Sequence, residues 1–352
     1  MVAWSLFHPV EHGKVGGVAG CRSNKQVKVF DRNGALLEEI IQPGLVTLMT
    51  WDKDGDVLAL TNDKTTAVTL WEVGTKKTET LDANMGSRKV PVLGKHQRAI
   101  TCGAFSDGDL LALGADDASI TVSNMEGDSM YSFTCNSDPS LIKFNDLRRP
   151  ADKTARTDTM LSAVLGKKIL MLVSLSDSEN PINLQFQARY GDITSYVWFS
   201  DGYLLLGFDK GFVVCISAHA SEIGQEIFSV QDFKTYLSYV HVNETFEKAL
   251  MVGDNQLKIR EMNQLDELFG MYDIEGEDKV LSRVETSTDG QLVAVAGTSG
   301  TLHVFLTKMP VLGSSYRNII AILSSPTEVT VLRESEKFDY YEVLDEFKEL
   351  VE

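Results

Sequence analysis

The sequence predicts an all-β fold, a β-propeller of about seven blades. A short apolar strand, a polar or glycine turn and a second apolar strand recur seven times along the 352 residues. The copies follow one another at intervals of roughly 45 residues, the length of one four-stranded blade. Many strands are continuously apolar, as in Leu110-Leu-Ala-Leu113, which indicates burial on both faces. No helix of ordinary length is required before about residue 333.

The blades are identified from their hairpins in chain order. The second strands of these hairpins begin at Val27, Val68, Ile120, Ile169, Val213, Leu257 and Leu302. An earlier strand ending in an aromatic residue precedes several hairpins, most clearly at 45–51, 99–105 and 193–199. Asp-Gly dipeptides, which supply the positive φ of tight turns, follow these strands and one further strand. They are Asp54-Gly55, Asp107-Gly108, Asp201-Gly202 and Asp289-Gly290.

The chain is predicted to have three segments. Residues 1–313 form the propeller, and 314–332 are trailing strands or the start of a further propeller. Residues 333–352 are predicted to form an acidic amphipathic helical tail, because Tyr340, Leu344, Phe347 and Val351 recur at helical spacing. That helix could pack on the ring, begin an interdomain segment or bind a partner.

Charge and cysteine usage exclude several classes of function. The net charge of −17 and the pI near 4.8 argue against nucleic acid, whose phosphates require clustered Lys and Arg. No apolar stretch is long enough to span a bilayer, and the first residues do not resemble a secretion signal. The four cysteines, Cys21, Cys102, Cys135 and Cys215, have no paired spacing, which predicts free thiols in a reducing cytosol.

The candidate motifs for catalysis, cofactor binding and metal binding each lack residues or geometry that the chemistry requires. We therefore predict no enzyme activity, no cofactor and no metal site. His8 and His12 are four residues apart, but Pro9 between them argues against a shared helix face. Gly166-Lys167-Lys168 lacks the other residues of a phosphate-binding loop. The remaining histidines, His96, His219, His241 and His303, are predicted at turns or blade edges. An active site assembled in the channel from distant blades stays open as a minor alternative.

One loop is a candidate for partner binding. Arg148-Arg149-Pro150 lies within a polar insertion at 145–159, and arginine often anchors protein contacts. A solvated insertion without a partner explains the same residues. No individual partner-binding residue is assigned.

The repeat resembles the WD-repeat pattern in degraded form. Gly94-Lys95-His96 stands in the place of the family's Gly-His, and Ser123-Asn124 stands where Trp-Asp is expected. Trp71-Glu72 and Phe30-Asp31 are closer to that terminal dipeptide. The hydrogen-bond network of His, Ser or Thr, Asp and Trp is therefore predicted to be incomplete in the blade of His96.

Several segments, in order, resemble one family more than propellers in general. They include Val27-Lys-Val-Phe-Asp-Arg-Asn-Gly34, Val90-Pro-Val-Leu-Gly-Lys-His96 and the stretches 51–59, 118–124, 224–228 and 300–313. Together they resemble the amino-terminal WD-repeat region of the intraflagellar transport complex A subunits conventionally numbered one hundred and forty-four.

The resemblance implies a non-catalytic scaffold for retrograde ciliary transport, cilium assembly and trafficking of ciliary membrane proteins. The implied partners are the other complex A subunits, tubby-like adaptors with ciliary membrane cargo and, indirectly, dynein-driven trains. The implied location is the cilium, its basal body and the cytoplasm. A generic WD-repeat adaptor in a vesicle coat or another cytosolic assembly is the alternative.

The chain departs from the family pattern in three places. The family has a further hairpin between the equivalents of Thr80 and Arg88, so an incomplete or irregular ring is expected. The likeness begins at Trp4, inside the first family blade. The family also continues into a second propeller and helical repeats, which the sequence as given does not include.

Overall fold

A computed structural model provides the structure of the chain. It describes residues 3–5, 17–22, 25–31, 36–52, 55–82, 96–124, 128–148, 157–274, 280–287, 290–307, 313–317, 319–325, 328–334 and 341–344. Two compact units are present, Met1–Val304 and Phe305–Glu352.

Seven antiparallel sheets follow one another between Ala3 and Leu306, and in each sheet the strands lie side by side in chain order. The first sheet is β1 (Ala3–Ser5), β2 (Gly17–Arg22), β3 (Gln26–Asp31) and β4 (Leu36–Ile41). The second is β5 (Val46–Trp51), β6 (Val57–Asn62), β7 (Thr65–Glu72) and β8 (Thr78–Asp82). The third is β9 (Ile100–Phe105), β10 (Leu111–Ala115), β11 (Ser119–Ser123) and β12 (Ser129–Thr134).

The later sheets repeat this arrangement. The fourth is β13 (Pro139–Arg148), β14 (Thr157–Leu165), β15 (Ile169–Ser174) and β16 (Ile182–Gln185), with a short 3₁₀ turn at Leu175–Asp177. The fifth is β17 (Ile193–Phe199), β18 (Tyr203–Phe208), β19 (Phe212–Ser217) and β20 (Glu226–Gln231). The sixth is β21 (Tyr239–Asn243), β22 (Lys248–Gly253), β23 (Gln256–Glu261) and β24 (Leu268–Asp273). The seventh has three described strands, β25 (Leu281–Thr286), β26 (Leu292–Gly297) and β27 (Leu302–Leu306).

The predicted propeller of about seven blades is confirmed. All seven predicted second strands coincide with the third strand of a sheet, from Val27 in β3 to Leu302 in β27. The three earlier strands predicted most clearly are β5, β9 and β17.

Apolar cores lie between the sheets. Six clusters of buried side chains each join two consecutive sheets, and the one between the fourth and fifth sheets contains Tyr196, Trp198 and Phe208. Phe208 is fully buried, and burial of such a side chain contributes roughly 1.5–3 kcal/mol. Within the described residues no such cluster joins the seventh sheet to the first, and the ring is not closed. The expected irregular ring is therefore observed.

One of the four Asp-Gly turns differs from the others in which residue has a positive φ. Gly55, Gly202 and Gly290 have φ of 65°, 90° and 66°, as the dipeptide predicts. At the third-sheet copy the residue with positive φ is Asp109 instead, at 58°. The Ser106 hydroxyl accepts hydrogen bonds from the backbone N–H groups of Gly108 (3.2 Å) and Leu110 (3.0 Å), which places the left-handed residue between them.

The second unit contains a further antiparallel sheet. Its strands are β28 (Gly313–Tyr316), β29 (Ile319–Ser325), β30 (Glu328–Glu334) and β31 (Tyr341–Leu344), side by side in chain order. The helix predicted over 333–352 is wrong for the residues of that stretch that are described. Arg333 and Glu334 end β30, and β31 pairs with it. Residues 335–340 and 345–352 lie outside the described ranges.

The helix prediction failed because the spacing of the apolar residues in this stretch fits both a helix and a strand. Tyr340 and Leu344 are one helical turn apart, but Tyr341 and Val343 alternate with charged Glu342 as in a strand. Aromatic and β-branched residues favour the strand, and pairing with β30 decides for it. Among the described residues, no helix has the length and apolar character needed to cross a membrane.

Candidate functional site at the inner rim

The first strands of successive sheets contact one another in series, from β1 to β25. We call the surface that these first strands form around the propeller axis the inner rim. It carries a group of titratable side chains, the rim cluster, consisting of Lys143, Tyr239, His241, Arg283 and Glu285.

Strand geometry explains how the rim cluster forms. Tyr239 and His241 are two residues apart on β21, and Arg283 and Glu285 are two apart on β25, so each pair projects from one face of its strand. The strands β21 and β25 are neighbours at the rim. Lys143 comes from β13, three sheets before β25, and still interacts electrostatically with Glu285. The curvature of the array therefore brings these two strands to face each other.

Glu285 is the centre of the contacts. Its Oε1 atom lies 2.8 Å from both Nε and Nη2 of Arg283, and its Oε2 atom lies 3.5 Å from His241 Nδ1. Burial acts to raise the pKa of Glu285, but Arg283, His241 and Lys143 together outweigh it and hold that pKa below its ordinary value. The Arg283 guanidinium also stacks over the Tyr239 ring, 5.2 Å from the centroid.

His241 is neutral at physiological pH. Burial, Lys143 and Arg283 together lower its pKa, although Glu285 acts in the opposite direction. Its Nε2 atom lies 2.9 Å from the Thr286 hydroxyl. The sequence placed His241 at a turn or blade edge, and the residue lies in β21, the strand at the inner edge of the sixth sheet.

The environment of Lys143 differs from that of Arg283. Its ammonium lies 5.9 Å from the centroid of the Tyr196 ring, and over the described ranges no carboxylate lies within 4.0 Å of it. Burial lowers the pKa of Lys143, and Arg283 lowers it further, while Glu285 opposes them. The rim cluster therefore combines two basic side chains, Lys143 and Arg283, with one carboxylate, Glu285.

His96 lies in a second polar network, in the third sheet. It is fully buried, with Nδ1 at 3.0 Å from the Ser119 hydroxyl and Nε2 at 2.8 Å from the Thr121 hydroxyl. Asp117 approaches Nδ1 at 3.5 Å and accepts from Ser119. The Ser123 hydroxyl, at the position expected for tryptophan, is buried without a hydrogen-bond partner in the described part of the chain. The predicted gap in the network is therefore present. His96 lies in the turn region before β9, as predicted, and is fully buried there.

The candidate loop at 145–159 is smaller than the sequence predicted. Residues 145–148 and 157–159 belong to β13 and β14 and pair with each other, Asp146 with Thr159 and Arg148 with Thr157. Arg149 and Pro150 lie outside the described residues, as do His8 and His12. Gly166 and Lys167 form the left-handed turn between β14 and β15, with φ of 54° and 62°.

Cysteine and metal chemistry have little support in this structure. Burial raises the pKa of Cys102 to about 12, of Cys135 to about 11 and of Cys215 to about 12, so these free thiols are protonated at neutral pH. Among the residues that the structure describes, no group of three or more His, Cys, Asp or Glu side chains could hold a metal ion.

An apolar surface lies on the outer edge of the sixth sheet. Strand β24 is the last strand of that sheet and exposes four large side chains, Leu268, Phe269, Met271 and Tyr272, each by 45–58%. Edge strands of this kind are ready to pair with another chain. The sequence alone does not indicate this surface, because a short strand with four large apolar residues is ordinarily expected in the core.

Known proteins are similar to this chain over most of its length. The family described as WDR19 first beta-propeller matches residues 10–87 and 84–300. The mouse and human proteins named WD repeat-containing protein 19 are each 40% identical to the chain over 336 residues, which cover 87% of the chain. WD repeat-containing protein dyf-2 of Caenorhabditis elegans is 37% identical over 354 residues, 91% of the chain. The chain spans about a quarter of the length of these relatives, 25% of each. It belongs to the WDR19 first β-propeller family.

Proposed function

We propose that the chain is a non-catalytic scaffold of intraflagellar transport complex A, acting in retrograde ciliary transport, cilium assembly and the trafficking of ciliary membrane proteins. The observation that carries the proposal is family membership over residues 10–300, together with the ordered segments that resemble complex A subunits. WD-repeat propellers of this kind typically work as interaction platforms, in agreement with a non-catalytic role.

The outer strand β24 supports a docking role. Contiguous exposed apolar side chains on a folded surface mark interaction sites. The exposed carboxylates Asp266, Glu267 and Asp273 flank these side chains, so the surface is complementary to a basic segment. The proposed occupant is an extended, basic and apolar segment of a neighbouring complex A subunit, added as a further strand beside β24.

Partners and location follow from the same proposal. The direct partners are other complex A subunits, and tubby-like adaptors connect the assembly to ciliary membrane cargo. Dynein-driven trains carry the assembly indirectly. The protein is expected in the cilium, at the basal body and in the cytoplasm.

Endogenous tagging of the protein tests this function. The expected result is a ciliary and basal-body signal, recovery of complex A subunits with the tagged protein, and accumulation of train material at ciliary tips after depletion. An even cytosolic distribution without complex A subunits would overturn the proposal. Recovery of vesicle-coat proteins in their place would identify the chain as a coat adaptor.

A further inference from the structure

We propose that the inner rim binds one oxyanion, a carboxylate or a phosphate group, between the Lys143 ammonium and the Arg283 guanidinium. The proposal concerns a site separate from β24 and does not depend on the ciliary role. It rests on the charge balance, the contacts and the solvent access of the rim cluster.

The charge balance of the rim is opposite to that of the whole protein. The chain has a net charge of −17, whereas Lys143 and Arg283 face a single carboxylate, Glu285, and carry one excess positive charge when Lys143 is protonated. A cation in a weakly solvated place is costly unless an anion accompanies it. One bound oxyanion would neutralise the rim.

The contacts show which cation lacks an anion. Glu285 is engaged by Arg283 at 2.8 Å and by His241 at 3.5 Å. The Lys143 ammonium lies 5.9 Å from the centroid of the Tyr196 ring, and no carboxylate of the described residues lies within ion-pair distance of it. An ammonium offers three donors, and Arg283 offers five N–H groups, of which its contacts with Glu285 occupy only some. The free donors suit the oxygens of a carboxylate or phosphate.

Solvent reaches the site. The side chain of Arg283 is 36% exposed and that of His241 18%, and Lys143 is also partly exposed. A ligand can therefore enter from water, while the limited exposure keeps screening low and strengthens its attraction to both cations.

Calorimetric titration of the purified chain tests the site with two probes, inorganic phosphate and an acetylated tetraglutamate peptide. Binding of phosphate alone identifies a free ion as the ligand, and binding of the peptide identifies an acidic segment of a partner. Lys143→Met should weaken binding by about tenfold or more, whereas Lys210→Met, in an exposed turn, should leave it unchanged. Absence of heat with both probes would overturn the proposal, as would equal weakening by the two variants.

Two further variants separate ligand binding from a loss of structure. Lys143→Arg retains the charge and should bind within a few fold of the unaltered chain. Glu285→Gln removes the carboxylate that competes with the ligand, so it should bind the probe more tightly, a result that structural damage would not produce. If Lys143→Met does not fold, the binding measured for Lys143→Arg and Glu285→Gln decides whether the rim is the binding site. Weaker binding by Glu285→Gln in a folded chain would contradict the site.

Discussion

Gly211 links a turn of the fifth sheet to the connection between the fifth and sixth sheets. Its backbone has φ of 83°, in the turn that leads into β19. Its carbonyl oxygen accepts from the N–H groups of Asp232 (2.9 Å) and Phe233 (3.1 Å), and a Cβ at this position would overlap the Phe233 carbonyl oxygen. Both the dihedral angle and the close approach therefore require glycine.

Gly211→Ala is expected to lower the free energy of unfolding by about 2 kcal/mol or more, because a side chain meets backbone atoms that cannot move aside. Urea unfolding monitored by tryptophan fluorescence measures the change. Gly74→Ala is the matched control, since no atom lies within 4 Å of a Cβ built there. Equal stability of the two variants would show that the turn is able to relax.

His96 gives the third sheet a pH dependence. Burial lowers its pKa below the ordinary value of 6.5, although Asp117 acts in the opposite direction. The groups that face the ring are Asp117 and the hydroxyls of Ser119 and Thr121. As the pH falls below about 6.5, the unfolded chain takes up a proton at this histidine before the folded chain does. Stability must therefore decrease with acidification through this window.

Comparison of the unaltered chain with His96→Gln checks the sign of this effect. Both proteins are unfolded in urea at pH 7.5 and at pH 5.5, and the quantity compared is the loss of unfolding free energy between the two pH values. The loss should be smaller in His96→Gln, even though that variant is less stable at both pH values. An identical loss would assign the acid sensitivity to other groups, such as His241 at the rim.

At the scale of elements, the outer strands differ more than the inner ones. Second strands such as β10, β18 and β22 are almost fully buried, and β10 has no exposed residue. The third strand of the seventh sheet, β27, is an exception because most of its residues are exposed. The fourth strands lie at the outer edge, where three of the six residues of β20 are Glu, Ser or Gln, whereas four of the six residues of β24 are large and apolar or aromatic. The difference predicts that β24 is the strand used for docking.

Met271→Lys is expected to reduce the recovery of complex A subunits with the tagged protein severalfold. The added charge disrupts the apolar surface and repels a basic partner strand, while stability changes by no more than about 0.5 kcal/mol because the site is exposed. Ile227→Lys in β20 is the control, since Ile227 and Met271 are 53% and 51% exposed on equivalent outer strands. Equal losses for both variants would argue against specific docking at β24.

The burial of each strand explains which elements the sequence could predict. Third strands such as β15 and β19 are nearly continuous apolar runs bounded by turns, so hairpin spacing identifies them. Fourth strands such as β16, with its mostly exposed Ile-Asn-Leu-Gln, carry no comparable pattern. The rim cluster was beyond sequence reasoning, because Lys143 and Glu285 meet only through the curvature of four successive sheets.

At the scale of the whole propeller, stability depends on the position of a sheet in the series. Each sheet from the second to the sixth contributes to two apolar clusters, whereas the described residues of the first and seventh sheets contribute to one each. In a stacked array, stability is approximately the sum of each repeat's own term and the terms of its neighbour interfaces. The terminal sheets should therefore open locally more often than the central ones.

Hydrogen exchange of backbone amides provides the test, with β18 and β26 as a matched pair. Both are second strands, and buried residues fill both, Leu204 to Phe208 in one and Val293 to Gly297 in the other. Their local structure is alike, so a difference in exchange reports the number of neighbouring sheets. We expect amides of β18 to exchange at least about tenfold more slowly, equivalent to about 1.4 kcal/mol of extra opening free energy. Equal protection of the two strands would mean that the seventh sheet has a second packing partner in solution, and hence that the ring closes there.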